Sequence, residues 1–263
     1  MNILNFPERK KGREAIVMVT CYDYTMARIV ADSAIDMILV GDSAAMVMHG
    51  HDTTLPISVD EMAMHVRAVR RGAPETFVVA DLPFLATRKG LEAAMDAVEA
   101  VMKAGASAVK IEGIEGQADL VRHIVASGVP VMGHLGLTPQ AVNQLGGFRV
   151  QGRSEDDRAR LMREARECQA AGCFALVLEC VPESLAEAIT RSLDIVTIGI
   201  GAGDRTDGQV LVMHDLLGLT DGFKPKFVRQ YMDGRAQVCQ ALDQYASDVR
   251  ERAFPAPEER YAG

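Results

Sequence analysis

Eight short apolar segments separated by helical stretches constrain this chain more than any other feature. They are AIVMVTCYD (15–23), MILVGDS (37–43), FVVADLPF (77–84), AVKIEG (108–113), VPVMGHLG (129–136), FALVLEC (174–180), IVTIGIGAG (195–203) and QVLVMHD (209–215). Most lack apolar–polar alternation, and near-continuous apolar runs are what a parallel sheet covered on both faces requires. The stretches between them carry helix punctuation. Ser58 and Glu61 form a capping box with Gly72 as the stop, Ser154 opens a helix that finishes at Gly172, and Thr138-Pro139 reads as an N-cap followed by a first-turn proline. Strand signals interleaved with helices, without a composition break, point to a single α/β domain over 1–263, a (β/α)8 TIM barrel. An open doubly wound sheet is the structural alternative. A further helix is expected at about 235–254, packing outside the barrel or against a neighbouring subunit, with a frayed tail beyond it.

The composition is compatible with that size of core: 263 residues, 48% of them hydrophobic. A net charge of −8 argues against a broad nucleic-acid-binding face but leaves small anionic substrates open. Cys21, Cys168, Cys173, Cys180 and Cys239 show no CxxC spacing, and their odd number suits buried thiols in a reducing compartment. The opening MNILNFPERKKGRE has basic residues without an apolar run behind them, so it does not read as a secretory signal. With no apolar run near the roughly 20 residues of a spanning helix, a cytoplasmic location is expected.

In a barrel of this kind, polar residues at the C-terminal strand ends face the mouth. Asp42 and Ser43 end the second segment, Asp81 the third, Lys110 and Glu112 the fourth, His134 the fifth and Glu179 the sixth. Strand alternation puts Lys110 and Glu112 on one face. Carboxylates converging from adjacent strands repel one another unless neutralised, and a hard divalent cation with oxygen ligands and retained waters is the usual solution. Mg²⁺ fits better than zinc, with Asp42 and Asp81 closest to it and Glu112 a ligand or an anchor for its waters. Glu179, behind the apolar FALVL, is the candidate base for proton abstraction. His134 belongs either to the mouth or to a structural hydrogen bond with a neighbouring strand end. The loop GGFRVQGRS (146–154) has glycines that permit movement and arginines that attract carboxylates.

Other signals carry less. GIGAGDRTDG (199–208) is no dinucleotide fingerprint, because no GxGxxG opens a helix early in a βαβ unit. His49 and His51 alternate on an extended stretch without a third ligand of matching softness. Met46, Met48, Met62 and Met64 read as core or pocket wall, and RSEDDRARLMREARE as a solvated helix face.

Together, VGDS, HDTTLP, ADLPF, VKIEG, GHLGLTPQ, VQGR, LVLECVP and GIGAG…DGQVLV resemble the ketopantoate hydroxymethyltransferase family over about residues 14 to 231. The resemblance implies a TIM barrel of the phosphoenolpyruvate/pyruvate type, the first committed step of pantothenate synthesis, Mg²⁺, 5,10-methylenetetrahydrofolate as one-carbon donor and a homodecamer. By motif, Asp42, Asp81 and Glu112 match the family's metal positions, Ser43 and Lys110 its 2-oxo acid contacts, and Glu179 its proton acceptor. Asp42, Ser43, Asp81, Lys110 and His134 would then line the substrate, 3-methyl-2-oxobutanoate, with the folate over the mouth between the loops after the fifth and sixth strands. Ala44-Ala45 replace a usual Leu-Gly pair, Ile114 a usual glycine, and ATRKG (86–90) is atypical. The rivals are a related Mg²⁺ barrel that cleaves or rearranges a 2-oxo acid, against which stands the absence of a KKCGH-like loop, and a non-catalytic metabolite-binding barrel.

Overall fold

A computed structural model of the chain describes residues 2–222 and 224–261. Each apolar segment forms a strand: β1 Ile16–Thr20, β2 Met37–Val40, β3 Phe77–Asp81, β4 Ala108–Glu112, β5 Val131–Gly136, β6 Ala175–Glu179, β7 Val196–Ile200 and β8 Gly208–Leu211. All pair in parallel with their sequence neighbours, and β8 closes onto β1 through Ile16↔Gly208 to Val19↔Leu211. That closure excludes the open sheet. Between strands run Tyr24–Ala31, Val59–Gly72, Leu91–Lys103, Ala118–Ala126, Glu155–Ala170 and Glu183–Ser192, while residues 201–207 join β7 to β8 without a helix.

The helix ends follow the expected chemistry. Ser58 accepts from the Glu61 N–H and Glu61 reaches back to the Ser58 N–H, completing the capping box. Ser154 accepts from the Asp157 N–H. Thr138 makes no side-chain cap, and Pro139–Ala141 is a single 3₁₀ turn before the short helix Val142–Leu145.

Inward side chains of the strands, among them Met18, Leu39, Val79, Ala108, Met132, Val177 and Ile198, form the barrel core. Phe6, from the short helix Asn5–Gly12, joins them at the N-terminal end of the strands, its ring 5.2 Å from Phe77 and 4.9 Å from Phe174. A helix written NFPERKKG reads as polar, so this apolar stopper is invisible to periodicity.

Three sequence expectations need correction. Cys21, Cys168 and Cys173 are buried, but Cys180 is half-buried and Cys239 exposed. Met62 is core, whereas Met48 and Met64 are exposed on outward positions. The helix Glu155–Ala170 is not wholly solvated: Leu161, Glu164 and Ala165 are buried, and Glu164 is held by Arg160 at 3.0 Å.

The chain divides into two compact units, Met1–Val212 and Met213–Gly263. The second holds the helix Gly234–Arg250, capped by Asp233, on which Val238, Leu242, Tyr245 and Val249 are exposed at helical spacing. A 3₁₀ turn, Pro257–Glu259, follows that helix. No helix among the described residues is long and apolar enough to cross a membrane.

Candidate functional site

Strand register brings the sequence-predicted residues together. Asp81 lies opposite Lys110, Glu112 opposite His134, and Gly136 opposite Glu179 across successive pairs of β3 to β6. Asp42 follows β2, and its N–H donates to Asp81 Oδ2 at 2.9 Å. Gly41 lies close beside it: a Cβ there would sit 2.8 Å from Ser43 Oγ and displace that hydroxyl. Ser43 Oγ is 2.8 Å from the hydroxyl of Tyr22, a residue that follows β1 and that sequence reasoning did not single out. Gly136, at φ +97°, lets the chain leave β5 over β6: a Cβ would lie 2.2 Å from Glu179 O, and Leu137 N–H instead donates to that carbonyl.

The buried charges form one connected array. Lys110 Nζ is 2.9 Å from Asp81 Oδ1, 3.8 Å from Glu112 Oε1 and 3.0 Å from His134 Nδ1. His134 Nδ1 is 3.3 Å from Glu112 Oε1, and Nε2 is 3.2 Å from Glu179 Oε2. His134 therefore bridges Glu112 and Glu179, the acids at the ends of the two strands that flank its own. Sequence reasoning also missed Gln140, whose side chain donates to Asp42 Oδ2 at 2.8 Å and whose N–H donates to Glu112 Oε2 at 3.0 Å. The PQ of GHLGLTPQ was visible, but nothing in its spacing says that this loop folds back over β2 and β4.

Electrostatics follow from burial and crowding. Burial, and then the Asp81 and Glu112 charges, push Asp42 well above the usual carboxyl range against the pull of Lys110 and Gln140. Burial also raises Asp81, with Lys110 opposing. For Glu112 burial is outweighed by His134, Lys110 and the Gln140 N–H, which hold it low. Burial disfavours charge on Lys110, yet the three acids outweigh it and raise the ammonium above its ordinary value. Burial and Lys110 likewise oppose protonation of His134, but Glu112 and Glu179 lift it to about 9. Part of the neutralisation assigned to a cation on sequence grounds is thus carried by Lys110.

The donor set still fits a hard cation. Asp81 Oδ1 and Glu112 Oε1 are buried without an aligned hydrogen bond, despite their ion-pair distances to Lys110, and buried oxygens of this kind are costly unless something satisfies them. Among the described residues no three His, Cys, Asp or Glu side chains close into a ready cage. Mg²⁺ usually takes one or two carboxylates and keeps its waters, so an incomplete protein shell suits it. His49 and His51 do not build a second centre: His49 Nε2 meets His65 Nε2 at 2.8 Å, and His65 Nδ1 meets the Tyr22 carbonyl at 2.7 Å.

A cavity of about 1030 Å³ adjoins Glu112 and Gln140. Phe84, Leu85 and Arg88 after β3, Glu115 after β4, and Thr138, Asn143 and Leu145 after β5 line it. The loop 146–154 does not, and its Arg149 and Arg153 are exposed.

Residues 1–257 match the family described as Ketopantoate hydroxymethyltransferase. A protein of Bdellovibrio bacteriovorus named 3-methyl-2-oxobutanoate hydroxymethyltransferase is 60% identical over 260 residues, 99% of each chain. One of the same name from Francisella tularensis subsp. novicida is 49% identical over 99% of this chain and 98% of its own. Among solved structures, phosphoenolpyruvate phosphomutase from Streptomyces platensis subsp. rosaceus superposes with a TM-score of 0.65 at 13% identity, covering 100% of this chain and 92% of that one. Phosphonopyruvate hydrolase in complex with oxalate and Mg²⁺ gives 0.64 at 12%, covering 98% and 93%. At such identities the fold alone is shared, a closed TIM barrel.

Proposed function

This chain belongs to the ketopantoate hydroxymethyltransferase family and is a transferase enzyme; from that premise we propose that it moves a hydroxymethyl group from 5,10-methylenetetrahydrofolate to 3-methyl-2-oxobutanoate. The product is 2-dehydropantoate (ketopantoate), in pantothenate and coenzyme A biosynthesis in the cytoplasm. The observation that carries this reading is the array of Asp42, Asp81 and Glu112, with two buried oxygens lacking hydrogen bonds, beside a fourth acid, Glu179, reached through His134.

Asp42, Asp81 and Glu112 would hold Mg²⁺, which when bound supplies Lewis-acid polarisation of the 2-oxo group. Glu179 takes the proton from C3 of the substrate as general base. His134, with Nε2 3.2 Å from Glu179 Oε2 and Nδ1 3.3 Å from Glu112 Oε1, stands between the two carboxylates and limits where the Glu179 carboxylate can lie. Lys110 contributes a permanent positive charge where negative charge develops on the 2-oxo acid. Ser43, beside Tyr22, contacts the substrate. As C3 bonds to the methylene carbon, one of that carbon's two C–N bonds breaks with its electron pair going to the folate nitrogen. Water then replaces the second nitrogen, its oxygen becoming the hydroxyl of the product, and tetrahydrofolate leaves with the proton that Glu179 had taken and one from the water.

The cavity beside Glu112 supports placing the folate on the β3–β5 side of the mouth, not between the loops after β5 and β6. Its Phe84, Leu85 and Leu145 suit a flat ring system and Arg88 an acidic tail. We assign a homodecamer by family, and the exposed stripe Val238, Leu242, Tyr245 and Val249 is consistent with self-association. The test is ketopantoate formation from both substrates with and without Mg²⁺: product only with the cation is expected. No product with Mg²⁺ present, or equal product without it, overturns the reading.

A further inference from the structure

Gln140 belongs to none of the eight strands, yet it touches the ends of three. Its Nε2 donates to Asp42 Oδ2 at 2.8 Å after β2 and to the Leu82 carbonyl at 3.0 Å after β3. Its backbone N–H donates to Glu112 Oε2 at 3.0 Å on β4. Both acceptors of the side chain are oxygens, so the amide presents its NH₂ group and both hydrogens are used. The 3₁₀ turn Pro139–Ala141, closed by Ala141 N–H on the Thr138 carbonyl, sets where that amide sits.

What remains is informative. One oxygen of Asp42 and one of Glu112 are engaged by Gln140, and on Glu112 the other oxygen, Oε1, is buried without a hydrogen bond. A carboxylate held at one oxygen cannot rotate freely, so its second oxygen keeps a fixed direction. A neutral amide does this without adding a positive charge that would compete with a cation, as a lysine or arginine in its place would. The loop bearing Gln140 also walls the large cavity, so the same residue stands between the acids and that space.

We propose that the Gln140 side chain is a positioning group that orients Asp42 toward a divalent cation shared with Glu112, an inference that rests on the cation reading above. Its contribution is to metal affinity through Asp42, without contact with the reacting atoms.

Titrating Mg²⁺ alone into the purified chain by calorimetry, with neither substrate present, tests this. Gln140→Met keeps length and volume while removing both side-chain N–H donors, and Gln140→Ala removes the side chain, each leaving the backbone N–H on Glu112; each is expected to weaken Mg²⁺ about tenfold, the scale of the one lost hydrogen bond to the Asp42 carboxylate. The rise in melting temperature that Mg²⁺ confers on the parent chain should shrink in step. A residue that merely supports the loop would lower the melting temperature of the cation-free protein and leave the Mg²⁺ affinity of the folded protein alone. Unchanged affinity in Gln140→Met, while the parent binds, overturns the role of Gln140 only. No binding by the parent overturns the cation reading and this inference with it.

Discussion

At the N-terminal end of the barrel, Lys10 donates to Asp207 Oδ2 at 2.7 Å and to the Thr190 carbonyl at 3.1 Å, and Asp207 also accepts from the Thr197 N–H and hydroxyl. Beside this network the rings of Phe6, Phe77 and Phe174 close the core. At the C-terminal end, Asp42, Asp81 and Glu112 crowd together, and Asp81 Oδ1 and Glu112 Oε1 lack hydrogen bonds. The same eight strands thus finish in a hydrogen-bonded ion pair at one end and, at the other, in three buried acids around Lys110 with two oxygens left without aligned hydrogen bonds. Crowding buried acids costs stability, and proteins keep such groups where they do work. Substitutions at the two ends should therefore fail in different ways.

The largest separation is expected at Glu179. Glu179→Gln should slow C3 proton exchange by about a thousandfold, the usual scale of a general base, with unfolding in urea nearly unchanged. Undiminished exchange removes Glu179 as the base. Phe6→Ala should do the converse: a cost of about 3 to 4 kcal/mol for an aromatic removed from a core, with exchange by the folded fraction within twofold. A fall in exchange much beyond that would show the two ends to be coupled.

Asp42→Asn sharpens the contrast within the mouth. It removes one of three crowded acids, so the cation-free variant should unfold no more easily than the parent. At Mg²⁺ a hundredfold above Kd the parent gains about 2.7 kcal/mol by mass action, and the variant should gain little of it; equal gain would place the cation elsewhere. The smallest effect belongs to the helix cap. Ser58→Ala should cost about 1 kcal/mol and leave exchange intact. Because the Ser58 hydroxyl and N–H hold Glu61 below its ordinary value, the part of the cap due to Glu61 is present above that value and is lost as pH falls through the lowered one. A Ser58→Ala cost that stays constant through that acid range contradicts the assignment.

How much of this was legible depended on whether the information was local. All eight strands are visible because an inward and an outward apolar layer make each segment apolar throughout, and Asp42, Asp81, Lys110, Glu112, His134 and Glu179 stand out by breaking those runs. The capping box is likewise a four-residue pattern. Phe6 was hidden because one aromatic in a polar octet has no period to reveal it, and its value lies in Phe77 and Phe174, distant in sequence. Gln140 was hidden for the same reason: its partners are Asp42, Leu82 and Glu112, gathered only when the barrel closes. The cavity is on the β3–β5 side because the turn at Pro139–Ala141 folds over β4, a direction that Gly-rich composition in 146–154 could not announce.

The most direct measurement is exchange of the C3 proton of 3-methyl-2-oxobutanoate in deuterated water with folate absent. With Mg²⁺ the parent chain should exchange it readily, and chelating the cation should stop it. Exchange that continues at the same rate after chelation would contradict the account.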